Sequence, residues 1–235
     1  MGRRRGGGLS GTARRPYGMA VPVRRMVFCD FDGTITVEET LRQVLLTFVP
    51  EVARRVLTEL DAGTRTLRDG VQELVAALPS RCRQEIIDLT AHAPLRPGFG
   101  ELLDWLASQN VPFVVVSSGF RFYIEARLAA WRQQIHAIHA LEPDCSGEYM
   151  QLRLDHGHPR EAMPKEWVLR QYPCEQRIAI GDSLSDFEMV RAADRVFARD
   201  RLLSQLQRQH MTVSPFEDFF DVMQGLARDW EPQVG

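Results

Sequence analysis

The sequence predicts an α/β protein with a doubly wound, mostly parallel sheet and a helical insertion close to its start. Three observations support this fold class. From residue 96 onward, short apolar runs alternate with amphipathic helical patterns. A similar apolar run at 26–30 ends on an aspartate. Between these regions, residues 38–95 show apolar positions spaced by three and four residues and no strand-like run.

Five short runs are expected to form buried parallel strands, because each is nearly continuous in apolar residues. They are residues 26–30, 111–118, 135–141, 177–181 and 195–198. The run 148–154 is a further candidate, as an added strand near a hairpin. Helical patterns occupy residues 99–109, 121–131, 164–172, 184–193, 201–209 and 216–230.

The insertion is divided into four helical patterns by Pro50, Gly63 and Pro79. Because it interrupts a sheet that continues after it, we expect it to form a helical cap over the carboxyl edge of that sheet. The predicted boundaries are 26–37 together with 96–235 for the core, and 38–95 for the cap.

Residues 1–25 differ in composition from the rest of the chain. They carry seven arginines and no acidic residue, whereas the remainder holds 22 basic against 31 acidic residues, a net charge of −9. Glycine, proline and arginine without apolar periodicity predict a disordered basic arm. An extension without a role, a transit peptide and a nucleic-acid-binding arm remain open, although we do not expect nucleic acid as a partner.

No apolar run approaches the roughly 18 residues of a membrane helix, so we expect no membrane association. The four cysteines are scattered and form no CxxC pair, which favours reduced thiols over a disulfide framework or a zinc site. These features predict a cytoplasmic protein, either a monomer or a homodimer.

Acidic side chains follow two of the predicted strands, at the edge where sheets of this kind bind ligands. Asp30 ends the first strand and Asp32 lies two residues further on. Asp182 follows the fourth strand, and Asp186 lies four residues beyond it. Either pair alone could form a turn or a helix cap. Carboxylates gathered at one edge repel each other unless a cation joins them, and their oxygens suit Mg²⁺.

Two further features belong to the same edge. The second strand ends in Ser117, Ser118 and Gly119, and Lys165 begins the helix before the fourth strand. The chain contains 28 arginines and this single lysine. A hydroxyl, turn amides and an ammonium beside a magnesium site can bind phosphate. An ammonium is more compact than a guanidinium, so a lysine suits a crowded acidic site better than an arginine does.

The stretches "DFDGT", "VSSGF" and "GDSLSD", with Lys165 between the last two, resemble the four motifs of the haloacid dehalogenase superfamily phosphatases. The resemblance in order and spacing spans about residues 26–200. It implies a phosphatase that works through an aspartyl-phosphate, with Asp30 as nucleophile and Asp32 as general acid and base.

The same resemblance assigns the remaining residues. It implies that Ser117, Ser118 and Gly119 bind the phosphoryl group, and that Lys165 holds Asp30 and the phosphoryl oxygens. It also implies a Mg²⁺ site formed by the Asp30 carboxylate, the Asp32 carbonyl, Asp182 and Asp186.

A helical insertion between the first and second motifs is similar to the phosphoserine-phosphatase-like subclass, in which Glu39 corresponds to a residue that binds the substrate amine. Glu39 could equally be an acidic residue in a first helical turn. The stretches "PFVVVSSGFRFYI", "ALPS", "FARDRLL" and "PFEDFFDV" resemble the 2-hydroxy-3-keto-5-methylthiopentenyl-1-phosphate phosphatases of methionine salvage. This resemblance extends to about residue 224.

The predicted function is therefore Mg²⁺-dependent hydrolysis of a small-molecule phosphate monoester, with the methionine-salvage enol phosphate as the candidate substrate. Phosphoserine is the alternative substrate. Two alternatives come from other classes: a phospho-acceptor signalling domain, which also uses a strand-end aspartate, and an inactive member of the fold that binds a partner.

Overall fold

A computed structural model of the chain describes residues 23–154 and 159–231. Its strands are β1 (Val23–Cys29), β2 (Phe113–Phe120), β3 (Ile135–Leu141), β4 (Cys174–Gly181), β5 (Arg195–Ala198) and β6 (Ser214–Pro215). They form one parallel sheet in the order β3-β2-β1-β4-β5-β6. The chain leaves β1 towards one edge and later returns to build the other, which opens a crevice at the carboxyl ends of β1 and β4.

Five α-helices lie between β1 and β2, and the first four form the cap: α1 (Thr40–Phe48), α2 (Pro50–Asp61), α3 (Leu67–Ala77) and α4 (Arg83–Thr90). The other helices are α5 (Phe99–Ser108), α6 (Arg121–Arg127), α7 (Lys165–Arg170), α8 (Phe187–Arg191), α9 (Asp200–Arg208) and α10 (Phe219–Trp230). The predicted fold class, a doubly wound sheet with a helical insertion after the first strand, is confirmed.

The central strand β1 is buried on both faces. Val27 and Cys29 belong to a large apolar cluster that continues into the cap, whereas Met26 and Phe28 pack into a second cluster on the opposite face. This explains the continuous apolar run in the sequence. The run ends where Asp30 leaves the sheet, with its N–H donating to the Ile180 carbonyl of β4 at 3.0 Å.

The first strand begins earlier than predicted. Val23 pairs with Cys174 and Arg25 with Gln176, so the last three residues of the predicted 1–25 arm belong to β1. Arg25 interrupts the apolar pattern that predicts a strand. Its charge is accommodated there because the guanidinium lies over the Trp230 ring, 4.4 Å from the centroid. Residues 1–22, the rest of the predicted arm, lie outside the described residues.

One other strand prediction was wrong, and one short strand was not predicted. Residues 148–154 add no strand to the sheet. Gln151 instead pairs with Asp144 in a small hairpin, and the Met150 N–H donates to the Leu78 carbonyl of the cap at 2.8 Å. The two-residue strand β6 was not predicted, because a pair that includes Pro215 has no strand periodicity. Within the described ranges, no helix is long and apolar enough to cross a bilayer.

Candidate active site

Lys165 links two carboxylates at the carboxyl edge of the sheet. Its Nζ donates to Asp30 Oδ1 at 2.7 Å and to Asp186 Oδ1 at 2.5 Å. Asp30 follows β1, Lys165 opens α7 directly after Pro164, and Asp186 ends the short turn Leu184–Asp186. All three side chains of this ion-paired group are buried. Although burial lowers the pKa of Lys165, the charges of Asp186 and Asp30 raise it above its ordinary value, so the side chain is an ammonium.

Asp182 completes an acidic group with Asp30 and Asp186, in which carboxylate oxygens lie within 4.8 Å of one another. Burial, followed by the charge of Asp186, raises the pKa of Asp182 to about 7. Burial also raises the pKa of Asp30 well above its ordinary value, and the charge of Asp186 adds to this effect, while Lys165 opposes it. Both shifts indicate that the single ammonium leaves the group short of positive charge.

The loop after β4 is held by Asp186 itself. Its Oδ2 accepts from the N–H groups of Asp182 at 3.2 Å and Ser183 at 3.1 Å, which forms a capping box at the start of the turn. Asp186 thus bonds to Lys165 through one oxygen and orders the backbone of Asp182 through the other. A spacing of four residues between the two aspartates is what this closed turn requires.

The turn after β1 is shaped by a glycine. Gly33 has φ of +77°, and a Cβ at this position would lie 2.5 Å from Asp182 Oδ2. The next residue, Thr34, donates its hydroxyl to Asp182 Oδ1 at 2.7 Å. Together they bring the loops after β1 and β4 into contact, which explains the "DGT" sequence that follows Asp30 and Phe31.

Asp32 lies apart from this acidic group and has its own partners. Its Oδ1 accepts from the Thr40 hydroxyl and from the Leu41 N–H at 3.2 Å, and its Oδ2 accepts from the Tyr123 hydroxyl at 3.2 Å. Burial, with the nearby charge of Glu39 as the second cause, raises the pKa of Asp32 to about 7. At neutral pH the carboxyl can therefore both give and take a proton. Glu39 precedes α1 and is exposed to solvent.

Residues Ser117–Gly119, the predicted turn, lie instead at the end of β2 and against Asp32. A Cβ on Gly119 would stand 2.1 Å from Tyr123 Oη and 2.8 Å from Asp32 Oδ2, so this position must be glycine. Ser117 is fully buried, and its Oγ accepts from the Gly119 N–H at 2.9 Å. Ser118 Oγ is buried and has no hydrogen-bond partner among the described residues.

Four residues of this site were not predicted from the sequence: Thr34, Thr40, Arg96 and Tyr123. Arg96 is buried and donates to the carbonyls of Gly33 at 2.5 Å and Thr34 at 2.9 Å. These two hydrogen bonds fix the backbone of the turn after β1. Thr34 is the last residue of the motif "DFDGT", and this position directly after the glycine is the signal that marks its hydroxyl. Nothing local in the sequence distinguishes the other three.

The donor set fits a hard divalent cation. Three buried carboxylates face one ammonium, so the group lacks about two positive charges, and every available ligand atom is an oxygen. The residues that could hold such an ion are Asp30, Asp182 and Asp186. The predicted residues thus converge on one edge: the acidic group with Lys165, Asp32 on the loop after β1, and the Ser117–Gly119 segment of β2 against Asp32.

Comparison with known proteins shows the family of the chain. The model of the haloacid dehalogenase-like hydrolase family matches residues 27–191. A protein of Microcystis aeruginosa named 2-hydroxy-3-keto-5-methylthiopentenyl-1-phosphate phosphatase is 37% identical over 204 residues, which cover 86% of this chain and 97% of the relative. A protein of the same name from Bacillus thuringiensis subsp. konkukian is 32% identical, covering 83% of this chain and 93% of the relative.

Solved structures share the fold. A phosphoserine phosphohydrolase-like protein from Francisella tularensis superposes with a TM-score of 0.67 at 17% identity, covering 85% of this chain and 98% of that chain. A phosphoserine phosphatase from T. onnurineus gives a TM-score of 0.66 at 16% identity, covering 87% and 94%. At these identities the likeness concerns the fold alone.

The ion-paired group predicts a pH-dependent loss of stability in Lys165→Met. Without the ammonium, Asp30 and Asp186 would be buried unpaired, at a cost of about 3–5 kcal/mol in the free energy of unfolding. This cost should be larger at pH 7.5 than at pH 5. The raised pKa of Asp30 in the folded state favours its neutral form, so the stability that this form gives is present at low pH and is lost as the pH rises through that pKa. Urea denaturation of metal-free protein at both pH values measures the effect.

Arg170→Met is the matched control for this measurement. Arg170 lies on the same helix, α7, but its ion pair with Glu166 is exposed, so its loss should cost less than about 1 kcal/mol at either pH. Equal effects of the two substitutions would show that the buried ion pairs do not stabilise the protein as proposed.

A second prediction concerns the proton on Asp32. Glu39→Gln removes a negative charge that raises the pKa of Asp32, so this pKa should fall while burial keeps it above its ordinary value. A ¹³C NMR titration of labelled aspartate carboxyls in metal-free protein, assigned with Asp32→Asn, measures it. Glu38→Gln, which alters the neighbouring exposed residue, should leave the Asp32 titration in place. An unchanged titration in Glu39→Gln would contradict the electrostatic assignment.

Proposed function

The chain belongs to the haloacid dehalogenase-like hydrolases, and from this we propose that it hydrolyses 2-hydroxy-3-keto-5-methylthiopentenyl-1-phosphate through a phosphoryl group carried on Asp30. It is a phosphoric monoester hydrolase. One observation carries the proposed mechanism: two carboxyls two residues apart have opposite surroundings. Asp30 accepts from the Lys165 ammonium, whereas Asp32 accepts only from uncharged hydroxyl and N–H donors among the described residues.

The first step assigned to these residues is attack by Asp30 on phosphorus. A carboxylate approaches a charged phosphate poorly unless positive charge offsets the repulsion, and Lys165 supplies part of that charge. As the bond from the Asp30 oxygen to phosphorus forms, the bond to the leaving oxygen breaks. Asp32, protonated at the start, gives its proton to that oxygen. Ser117 and the amides of Ser118 and Gly119 would bind the phosphoryl oxygens.

The second step returns both carboxyls to their starting state. Asp32 is now ionised and takes a proton from a water molecule as the water oxygen attacks phosphorus. The bond between phosphorus and the Asp30 oxygen breaks, and inorganic phosphate leaves. A carboxyl whose pKa lies near 7 suits both transfers, because neither protonation state is strongly disfavoured at neutral pH.

We propose Mg²⁺ as the cofactor, held by Asp30, Asp182 and Asp186 with the Asp32 carbonyl. When bound, it would neutralise charge on the phosphate and on the carboxylates. Phosphoserine is the second candidate substrate, and the observation in its favour is Glu39. This exposed carboxylate influences the pKa of Asp32 and could pair with a substrate ammonium. We further propose a cytoplasmic location, consistent with the four free thiols.

Phosphate release from a panel of esters with Mg²⁺ tests the proposed function. The panel contains the methionine-salvage enol phosphate, phosphoserine, sugar phosphates and nucleotides. We expect kcat/KM to be highest for the enol phosphate, and Asp30→Asn to lower it at least about a thousandfold, because the nucleophile is lost. Asp104→Asn changes an exposed aspartate of α5 and should keep full activity.

The outcomes of this panel separate the alternatives. A preference for phosphoserine that Glu39→Gln reverses would show that phosphoserine is the substrate and that the enol phosphate is not. A phosphorylated Asp30 that persists without release of phosphate would indicate a phospho-acceptor. No turnover of any ester would leave a binding protein as the remaining interpretation.

The metal proposal predicts a Mg²⁺-dependent gain in stability. In metal-free protein, Mg²⁺ at about 100 times its Kd should stabilise the fold by about 2.7 kcal/mol, which corresponds to several degrees in Tm. Asp182→Asn should abolish most of this shift, because one of three carboxylate ligands is lost, whereas Asp104→Asn should retain it. Thermal unfolding with and without Mg²⁺ measures the shift. An equal rise in Asp182→Asn would contradict the assignment of Asp182 as a ligand.

A further inference from the structure

The carboxyl of Asp32 receives hydrogen bonds from two different parts of the molecule. Thr40 and Leu41, in the first turn of the cap helix α1, both donate to Oδ1. Tyr123, in the core helix α6, donates to Oδ2. Thr40 and Tyr123 are fully buried, so these hydroxyls lie where bulk water does not compete for them. The reaction proposed above uses Asp32 and leaves the role of these two hydroxyls unexplained.

The distribution of donors distinguishes the two oxygens of Asp32. A carboxylate offers about four acceptor positions, two on each oxygen. The Thr40 hydroxyl and the Leu41 N–H take both positions on Oδ1, and the Tyr123 hydroxyl takes one on Oδ2. The remaining position, where a mobile proton can reside, is on Oδ2.

Oδ2 is also the oxygen that faces the Ser117–Gly119 segment of β2. A Cβ on Gly119 would lie 2.8 Å from Oδ2, and 2.1 Å from the Tyr123 oxygen beside it. The absence of a side chain at Gly119 therefore allows Oδ2 and the Tyr123 hydroxyl to lie directly against this segment. The Ser117–Gly119 segment is the proposed binding site of the phosphoryl group.

We propose that Tyr123 and Thr40 are positioning residues that hold the Asp32 carboxyl with its mobile proton on Oδ2, directed towards the leaving group. The proposal rests on the function proposed above. In the first step, the Asp30 oxygen bonds to phosphorus, the electron pair of the breaking bond passes to the leaving oxygen, and that oxygen takes the proton from Oδ2. Loss of either hydroxyl lets the carboxyl rotate, so the proton is less often in place.

This role has a signature that loss of structure does not have. A weakly basic leaving group, such as p-nitrophenolate, departs without a proton, whereas a strongly basic one needs the proton as the bond breaks. Misplacing the proton should therefore lower the rate of hydrolysis of esters with basic leaving groups more than that of esters with weakly basic ones. A fall in the fraction of folded enzyme would instead lower the rates of all esters by the same factor.

The experiment compares kcat/KM over a series of aryl phosphates from p-nitrophenyl to unsubstituted phenyl phosphate. This parameter reports steps up to departure of the leaving group and is insensitive to the later hydrolysis of the phosphoenzyme. For Tyr123→Phe and Thr40→Val, we expect at least about a tenfold loss with phenyl phosphate and less than about threefold with p-nitrophenyl phosphate.

Two controls keep the test decisive. Thr40→Ser retains the hydroxyl and should restore the wild-type dependence on leaving group, even if Tyr123→Phe folds poorly. Tyr172→Phe removes a hydroxyl that bonds to His139 at 2.7 Å, away from Asp32, and should behave as wild type. A uniform loss across the series in both Tyr123→Phe and Thr40→Val would overturn the positioning role while leaving the phosphatase intact. A wild-type enzyme that hydrolyses no ester would overturn the proposed function itself.

Discussion

The interaction on which the rest of this structure depends is the contact of one buried ammonium with two buried carboxylates. Lys165 lies between Asp30 and Asp186, at 2.7 and 2.5 Å. Removing charges from water is costly, and the cost is recovered only when the partners are held in close and complete contact. The sheet order, the turn after β1 and the capping box after β4 all serve to bring these groups together.

This contact also explains why a chain with 28 arginines has one lysine. Between two carboxylates at these distances, the site accepts a compact charge with donors in several directions, which an ammonium provides. Arginine is not excluded from the interior, because Arg96 is buried nearby. Arg96, however, donates to backbone carbonyls of Gly33 and Thr34, where a broad, flat group with separated donors is suited. Lys165 and Arg96 are therefore different residue types because the first binds two carboxylates and the second binds backbone carbonyls.

The sequence allowed the fold class and the charged groups of the site to be predicted, because both follow from local patterns. Each buried strand is an apolar run, and Asp30, Ser117 and Asp182 follow directly where such runs end. Residues that act through long-range contacts could not be predicted. Tyr123 meets Asp32 across 91 positions, and Arg96 meets Gly33 across 63, with no local pattern that marks either.

The cap is bonded to the core around the site and is therefore more than a cover. On one side, the first turn of α1 donates to Asp32. On the other, the Arg68 N–H at the start of α3 donates to the Arg160 carbonyl at 3.0 Å, in the segment that leads to Lys165. A shift of the cap must therefore reach both the carboxyl that transfers protons and the segment before the ammonium. Cap helices that differ in sequence could change substrate preference, but they remain constrained by the chemistry at the sheet edge.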